Sequence, residues 1–218
     1  MGIDTVVDKI FIFCMKYINI FSNKQQFLIM VFVNLIIQTM ITRYSMLQSP
    51  KQKNKWYSLL AFLVALLLIV VMCLPIKIWV KFLVFCLFSL VQGYTLASIP
   101  IHDTILQFAF YGALSIFVSM IGISSLITML GIQIGPRVGL GLFYALLIFL
   151  LFIIFNIFTG QVANKLLALV GILLFSIYIV YDTNKILQRD YKGDFISASL
   201  DYYLDFLNLF VNISWLNK

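Results

Sequence analysis

Long apolar runs separated by short polar segments dominate this chain. Seven of these runs approach the roughly 20 mostly apolar residues that a membrane-spanning helix needs. We expect helices over Phe27 to Thr42, Trp56 to Leu74, Ile78 to Ile99, Thr104 to Met129, Val138 to Phe158, Leu166 to Asp182 and Phe195 to Leu216. The pattern predicts an all-α, polytopic membrane protein with seven transmembrane helices.

The first 24 residues differ from the seven apolar runs. Their apolar residues fall roughly on one helical face, whereas Asp4, Asp8 and Lys9 lie elsewhere. This arrangement is typical of a short amphipathic helix lying on the membrane surface. We therefore divide the chain into an N-terminal amphipathic segment, residues 1–24, and a seven-helix membrane domain, residues 25–218.

Composition and charge agree with a membrane protein. Hydrophobic residues make up 63% of the chain and charged residues only 11%, against about 25% charged residues in soluble domains. The net charge is +7, but basic residues such as Lys51, Lys53 and Lys55 lie between the apolar runs, as loop charges do in membrane proteins. We expect the lipid bilayer as a partner and no nucleic acid. The three cysteines show no metal-binding spacing, so we expect no cofactor and no stable metal site.

Acidic side chains lie in the last two apolar runs. Asp182 lies at the end of the sixth run and Asp205 lies inside the seventh. A carboxylate at the centre of a membrane helix costs roughly 2.5–3.5 kcal/mol on insertion scales. Residues of this kind usually face a bundle interior or a water path, and they mark functional positions.

The seventh run carries a polar stripe at helical spacing. Its members are Ser197, Asp201, Asp205, Asn208 and Asn212. Successive members are three or four residues apart, so they share one face of a helix. We expect this face to point into the protein or to line water.

Two inward carboxyl groups held together do not ionise independently. A proton shared between them allows a hydrogen bond, and its loss replaces that bond with repulsion, which is a simple switch for opening a pore. A protonated pair that merely ties two helices together fits the pattern equally well. A smaller stripe of Asn34, Gln38 and Thr42 in the first run indicates hydrogen bonds between helices.

Two motifs in the last runs resemble a known family. Residues 175–183 read F-S-I-Y-I-V-Y-D-T, and residues 203–210 read Y-L-D-F-L-N-L-F. The pair resembles the Bax-inhibitor-motif membrane protein family, which typically reads F-x-x-Y-I-x-Y-D-T and then L-Y-L-D-I-x-N-L-F. Weaker similarity elsewhere extends the resemblance over roughly residues 25–216.

The resemblance implies six helices around a central C-terminal helix and a pH-sensitive calcium leak. In the family, the aspartates matching Asp182 and Asp205 form the proton-sensing pair that gates the pore. Ca²⁺ would then be the permeant ion, held only transiently at these two carboxyl groups. Eukaryotic and viral relatives suppress cell death and lower stored calcium, so a role in calcium homeostasis is implied. The compartment would be the inner cell membrane in a bacterium and an endomembrane in a eukaryote or virus.

The chain departs from the family pattern at several positions. Gln92 stands where many members carry Glu. Some bacterial relatives carry an arginine near the end of the second helix that pairs with the aspartates. Lys77 lies close to that position in this chain. It is either a counter-ion of the pair or a lysine reaching the membrane interface. Asp201 is a third carboxyl group, and we expect it, with Asn208 and Asn212, to line the pore.

Other functions remain open at this stage. Intramembrane aspartyl proteases also use two membrane aspartates, the first in a Tyr-Asp motif like Tyr181-Asp182. Their second aspartate lies in a G-x-G-D motif, which the residues around Asp205 lack, so we do not expect an enzyme. A regulatory scaffold that conducts no ions, or a proton-coupled transporter, fits the same acidic residues. The sequence does not indicate which proteins this chain binds.

Overall fold

The computed structural model of the protein describes residues 3–50, 55–97, 103–159 and 164–217. Within these ranges we number the helices α1 to α7: Ile3–Gln48, Lys55–Cys73, Ile78–Leu96, Asp103–Met129, Pro136–Thr159, Asn164–Gln188 and Phe195–Leu216. The helices follow the seven predicted apolar runs in order, and no strand occurs in the described ranges.

Five helical stretches are long and apolar enough to cross a membrane. They are Ser22–Gln48, Ile78–Leu96, Thr104–Met129, Pro136–Asn156 and Lys165–Gln188. The apolar part of α2, Leu60–Cys73, is shorter. α7 has 22 residues, but the polar side chains of its stripe make it less apolar than the five. The predicted all-α, polytopic membrane protein is confirmed, and the chain is integral to the membrane with several passes.

α1 is much longer than the predicted first run. It is one unbroken helix of 46 residues, Ile3–Gln48. At about 1.5 Å per residue it measures roughly 69 Å, more than twice the ~30 Å hydrocarbon core of a bilayer. The predicted amphipathic segment covers residues 1–24, and its described backbone, from residue 3 onward, continues without a break into the first span. Its position on a membrane surface stays a prediction.

Local sequence explains where several helices begin and end. Gly131 follows α4 with a φ of 77°, and the N–H of Ile132 donates to the carbonyl of Ile127 at 3.2 Å, which closes the helix with a left-handed residue. Pro136 begins α5, at a position where its missing N–H costs nothing. Gly193, with a φ of 80°, turns the chain just before α7.

The chain divides into two compact units. The first contains α4, α5, α6, the start of α1 up to Phe27, and α7 from Asp205 onward. The second contains the rest of α1, α2, α3 and the first part of α7 up to Leu204. α7 therefore contributes one end to each unit.

α7 differs from the other helices in how completely it is covered. No residue from Phe195 to Leu216 is exposed, whereas α2, α4 and α5 each leave a broad apolar face uncovered. Apolar faces of this kind are normal in a protein surrounded by lipid. Full cover is what a helix with a polar stripe requires, because lipid cannot satisfy the polar groups.

Candidate functional site

Asp182 lies within α6, six residues before that helix ends at Gln188. The sequence predicted it at the end of the helix, but α6 continues past it. The side chain is buried, with 7% of the residue exposed. Lys185 lies one turn further along, with its Nζ 3.5 Å from Oδ1 of Asp182. A positive charge at this spacing on a helix favours an ionised carboxylate.

Asp205 lies in the same unit as Asp182, on α7, and only 4% of the residue is exposed. Tyr178 precedes Asp182 by four residues on α6, so the two side chains occupy neighbouring positions of that helix. α6 and α7 also approach closely at another level, where a Cβ added to Gly171 would collide with the side chain of Asn212. The structure thus places the two aspartates that the sequence predicts as partners in the same unit, and both are buried. Their role in proton sensing stays a prediction.

Polar contacts hold the end of α6 that carries Asp182. The side-chain oxygen of Asn184 accepts from the N–H of Ile134 at 2.8 Å, and its nitrogen donates to Oγ1 of Thr128 at 2.9 Å and to the carbonyl of Ile132 at 3.1 Å. Ser124 of α4 donates to the carbonyl of Val180 at 2.7 Å. These bonds tie α6 to α4 and to the α4–α5 connection.

Lys24 of α1 satisfies the carbonyl end of the same helix. Its Nζ donates to the carbonyl of Ile186 at 2.7 Å and also to the carbonyl of Arg189. The last carbonyls of a helix lack partners within it and carry partial negative charge, so a cation there is stabilising. The contact anchors the end of α6 that follows Asp182.

No member of the polar stripe of α7 is exposed. Asp205 is buried and the other four members are half-buried. The half-buried residues Asp201, Asn208 and Asn212 lie along one side of the helix. Oδ2 of Asp201 accepts from the hydroxyl of Tyr191 at 3.2 Å, and Nδ2 of Asn212 donates to the carbonyl of Asn208 at 2.8 Å. These polar residues are therefore partly exposed, as are the apolar residues Leu204 and Val211 of the same helix.

The polar stripe of α1 makes the interhelical hydrogen bonds that its spacing predicts. Thr42 and Tyr203 of α7 share a hydrogen bond of 2.5 Å between their hydroxyl groups. Ser89 of α3 donates to Oε1 of Gln38 at 2.8 Å, and Nε2 of Gln38 donates to Oδ1 of Asn34 at 3.1 Å. These bonds join α1, α3 and the first part of α7 within the second unit.

An ion pair in the second unit was missed by sequence reasoning. Nζ of Lys81 in α3 lies 2.6 Å from Oδ2 of Asp194, the residue that precedes α7. Asp194 follows a glycine and precedes an apolar helix, which is a sequence signature of a helix N-cap. That signature could have identified Asp194 as a capping residue, but not Lys81, which lies 113 residues away in sequence.

Lys77, which the sequence left as either a counter-ion or an interface lysine, is exposed at the N-cap position of α3 and makes no capping hydrogen bond with its side chain. The cation that the structure places beside Asp182 is Lys185. Sequence reasoning did not single out Lys185, although its position three residues after Asp182 puts the two side chains on neighbouring positions of one helix.

The sequence matches the family model described as "Inhibitor of apoptosis-promoting Bax1" over residues 24–216. A vaccinia virus relative (strain Lister), "Golgi anti-apoptotic protein", is 30% identical over 131 residues, which cover 59% of this chain and 54% of the relative. The chain thus spans about half the length of this viral relative.

Shorter matches reach plants and bacteria. "Protein LIFEGUARD 1" of Arabidopsis thaliana is 34% identical over 74 residues, which cover 33% of this chain and 32% of the relative. A membrane protein of Vibrio cholerae is 38% identical over 73 residues, which cover 33% of this chain and 32% of the relative. Because the family match takes in all seven predicted spans and both aspartates of the site, the chain belongs to the Bax inhibitor family of membrane proteins.

Proposed function

We propose that this protein is a pH-sensitive calcium leak channel gated by Asp182 and Asp205. The observation that carries the proposal is the burial of two carboxyl groups, on α6 and α7 of one unit. Ionisable residues at membrane depth are expensive and are typical of ion and proton paths. The family match supports the proposal, because both aspartates lie within the matched residues.

The pair provides a gate through a single proton. When one proton is shared by Asp182 and Asp205, a hydrogen bond holds α6 to α7 and the path is closed. When that proton leaves, two negative carboxylates repel each other and the helices separate locally. The exposed carboxylate oxygens then attract Ca²⁺, a hard cation that prefers oxygen ligands. Calcium flux should therefore rise as the pH rises.

The polar stripe of α7 supplies a continuation of the path. Asp201, Asn208 and Asn212 are half-buried, which fits side chains that face water within the protein rather than lipid. Their oxygens lie on the same helix face as Asp205 and could replace part of the hydration shell of a passing cation. We therefore propose these three residues as additional pore-lining positions and calcium as the permeant ion.

Lys185 is the counter-ion that the geometry supports best. Its ammonium group lies 3.5 Å from Oδ1 of Asp182, whereas Lys77 is exposed at the start of α3. A positive charge next to Asp182 stabilises the ionised form of its carboxyl group. Lys185 would then set the pH at which the pair loses its proton.

The test is calcium entry into liposomes that contain the purified protein, measured as a function of pH. We expect Asp182→Asn with Asp205→Asn to abolish the pH dependence, because neither amide side chain can ionise. Asp190→Asn, which removes an exposed carboxylate just after α6, is the matched control and should keep the wild-type profile. A normal pH profile in the double variant would exclude the aspartate pair as the sensor.

A non-conducting regulatory scaffold is the second candidate function. The name of the viral relative, which describes an anti-apoptotic protein of the Golgi, favours this candidate. We propose suppression of cell death as the role of this chain, whether it conducts calcium or acts as a scaffold. A conducting protein links that role to calcium stores, whereas a scaffold acts through protein partners. If a variant that cannot conduct calcium still protects cells from death, the scaffold is correct.

A further inference from the structure

Lys81 is a buried lysine near the start of the apolar span of α3. Only 8% of the residue is exposed. Its Nζ lies 2.6 Å from Oδ2 of Asp194 and 3.2 Å from Oγ of Ser197. All three residues belong to the second unit, so this ion pair is separate from the aspartates of the gate. A buried charge in a membrane helix is costly, and the usual reason for one is function.

Asp194 has a structural role at the same time. Its Oδ1 accepts from the backbone N–H of Ser197 at 3.0 Å, and its Oδ2 accepts from the hydroxyl of Ser197 at 2.8 Å. These bonds cap the first turn of α7. Burial raises the pKa of Asp194, but the bonds from Lys81 and Ser197 outweigh it, so the pKa lies below its usual value of 3.8. The carboxylate of Asp194 and the Nζ of Lys81 form an ion pair with no net charge.

The position of this neutral pair matters because Ser197 is the first residue of the polar stripe of α7. The two charges meet the stripe at its N-terminal end, and Asp201 follows one helical turn later. Charges in partly buried surroundings are poorly screened by water. Any imbalance between Lys81 and Asp194 would consequently act on a cation that enters or leaves the stripe.

We propose that the Lys81–Asp194 pair determines the ion specificity of the channel by keeping the end of the α7 stripe electrically neutral. This inference rests on the proposed function, since it takes the stripe as the cation path. Removing the carboxylate leaves the ammonium of Lys81 uncompensated, which repels cations. Removing the ammonium leaves the carboxylate of Asp194 uncompensated, which attracts them. A divalent cation feels twice the effect that a monovalent cation feels.

The experiment measures calcium and potassium flux separately in liposomes containing wild type, Asp194→Asn, Lys81→Met or both changes together. Asparagine caps helices about as well as aspartate, so Asp194→Asn changes the charge and retains the cap. The ratio of calcium flux to potassium flux should fall about threefold or more in Asp194→Asn and rise by a similar factor in Lys81→Met. The double variant should return close to the wild-type ratio. Lys77→Met, which removes an exposed charge at the start of the same helix, should change the ratio little.

Ratios that move in the same direction in both single variants, or do not move, would show that the pair only fastens α7 and would overturn the inference. If Lys81→Met does not yield folded protein, the ratio in Asp194→Asn decides alone. The absence of flux in the wild-type protein at every pH overturns the proposed function itself. Normal wild-type flux with unchanged ratios overturns only the role of the pair.

Discussion

At the scale of single residues, Asp201 is the carboxyl group that the polar stripe of α7 carries in addition to Asp205. It lies one turn before Asp205 on α7, is half-buried, and accepts a hydrogen bond from Tyr191 at 3.2 Å. We expect Asp201→Asn to lower calcium flux by about threefold or more, because the path loses a negative charge.

Tyr191→Phe is the control for Asp201, since it removes the hydrogen bond and leaves the charge. It should retain most of the flux. If Asp201→Asn leaves both the flux and its pH profile unaltered, Asp201 does not belong to the path.

Lys185 leads to a second prediction at this scale. Its ammonium group lies 3.5 Å from Oδ1 of Asp182, so Lys185→Met removes the charge that favours the ionised carboxylate. Half-maximal calcium flux should then occur at a higher pH than in the wild type. Lys185→Arg keeps the charge and should keep the midpoint. An unchanged midpoint in Lys185→Met would remove Lys185 as the counter-ion.

Some of these residues could be identified from sequence and others could not. Asp205 and its stripe follow from helical periodicity, since a polar face on an apolar helix has to be covered. The positions of the cations next to the aspartates, Lys185 and Lys81, could not be predicted, because they depend on where the helices end and how they pack. α6 continues six residues beyond Asp182, and that extension is what puts Lys185 on the helix beside the carboxyl group.

At the scale of helices, close contact between α1 and α3 depends on Gly93. A Cβ added there would collide with the backbone carbonyl of Thr42 and with the side chain of Ser45. We expect Gly93→Ala to lower the free energy of unfolding by about 1–3 kcal/mol, because backbone cannot move aside as a side chain can. Gly141→Ala is the control, since nothing lies within 4 Å of the added Cβ. Thermal unfolding of Gly93→Ala and Gly141→Ala in detergent tests this prediction. Equal unfolding temperatures of the two variants would contradict the close contact at Gly93.

The N-cap of α7 gives a pH-dependent prediction. The pKa of Asp194 is lowered below 3.8 in the folded protein, so its stabilising effect is complete above the unfolded value and disappears as the pH falls through the lowered one. The difference in thermal stability between the wild type and Asp194→Asn should therefore shrink under acid. A difference that stays constant from about pH 6 to about pH 2 would show that the ionised carboxylate contributes nothing.

Helix boundaries were the least predictable feature of the elements. The sequence indicated seven helices because long apolar runs are unambiguous, yet it placed the first one over Phe27 to Thr42, well short of the 46 residues of α1. Polar residues between 1 and 26 ended the apolar run without ending the helix. A helix is formed by backbone hydrogen bonds and does not require apolar side chains. An apolar run therefore predicts the membrane-embedded part of a helix and not its full length.

At the scale of the whole molecule, a membrane protein of the Bax inhibitor family carries Asp201 and Asp205 on a helix that leaves no residue exposed. The two compact units each include one end of α7, with Asp205 on one side of that division and the Lys81–Asp194 pair on the other. Hydropathy and the family motifs were sufficient for the fold class and the aspartates. The division of α7 between two units, and the ion pair at its start, depend on tertiary packing and could not be predicted from either.

Calcium flux into liposomes containing only the purified wild-type protein, followed from about pH 5 to about pH 8, tests the central claim most directly. We expect low flux at acidic pH, where the aspartates share a proton, and a rise as the pH increases and the carboxylates repel each other. Protein-free liposomes are the control for leakage. Flux no greater than in those liposomes at any pH would contradict the proposal that this protein conducts calcium.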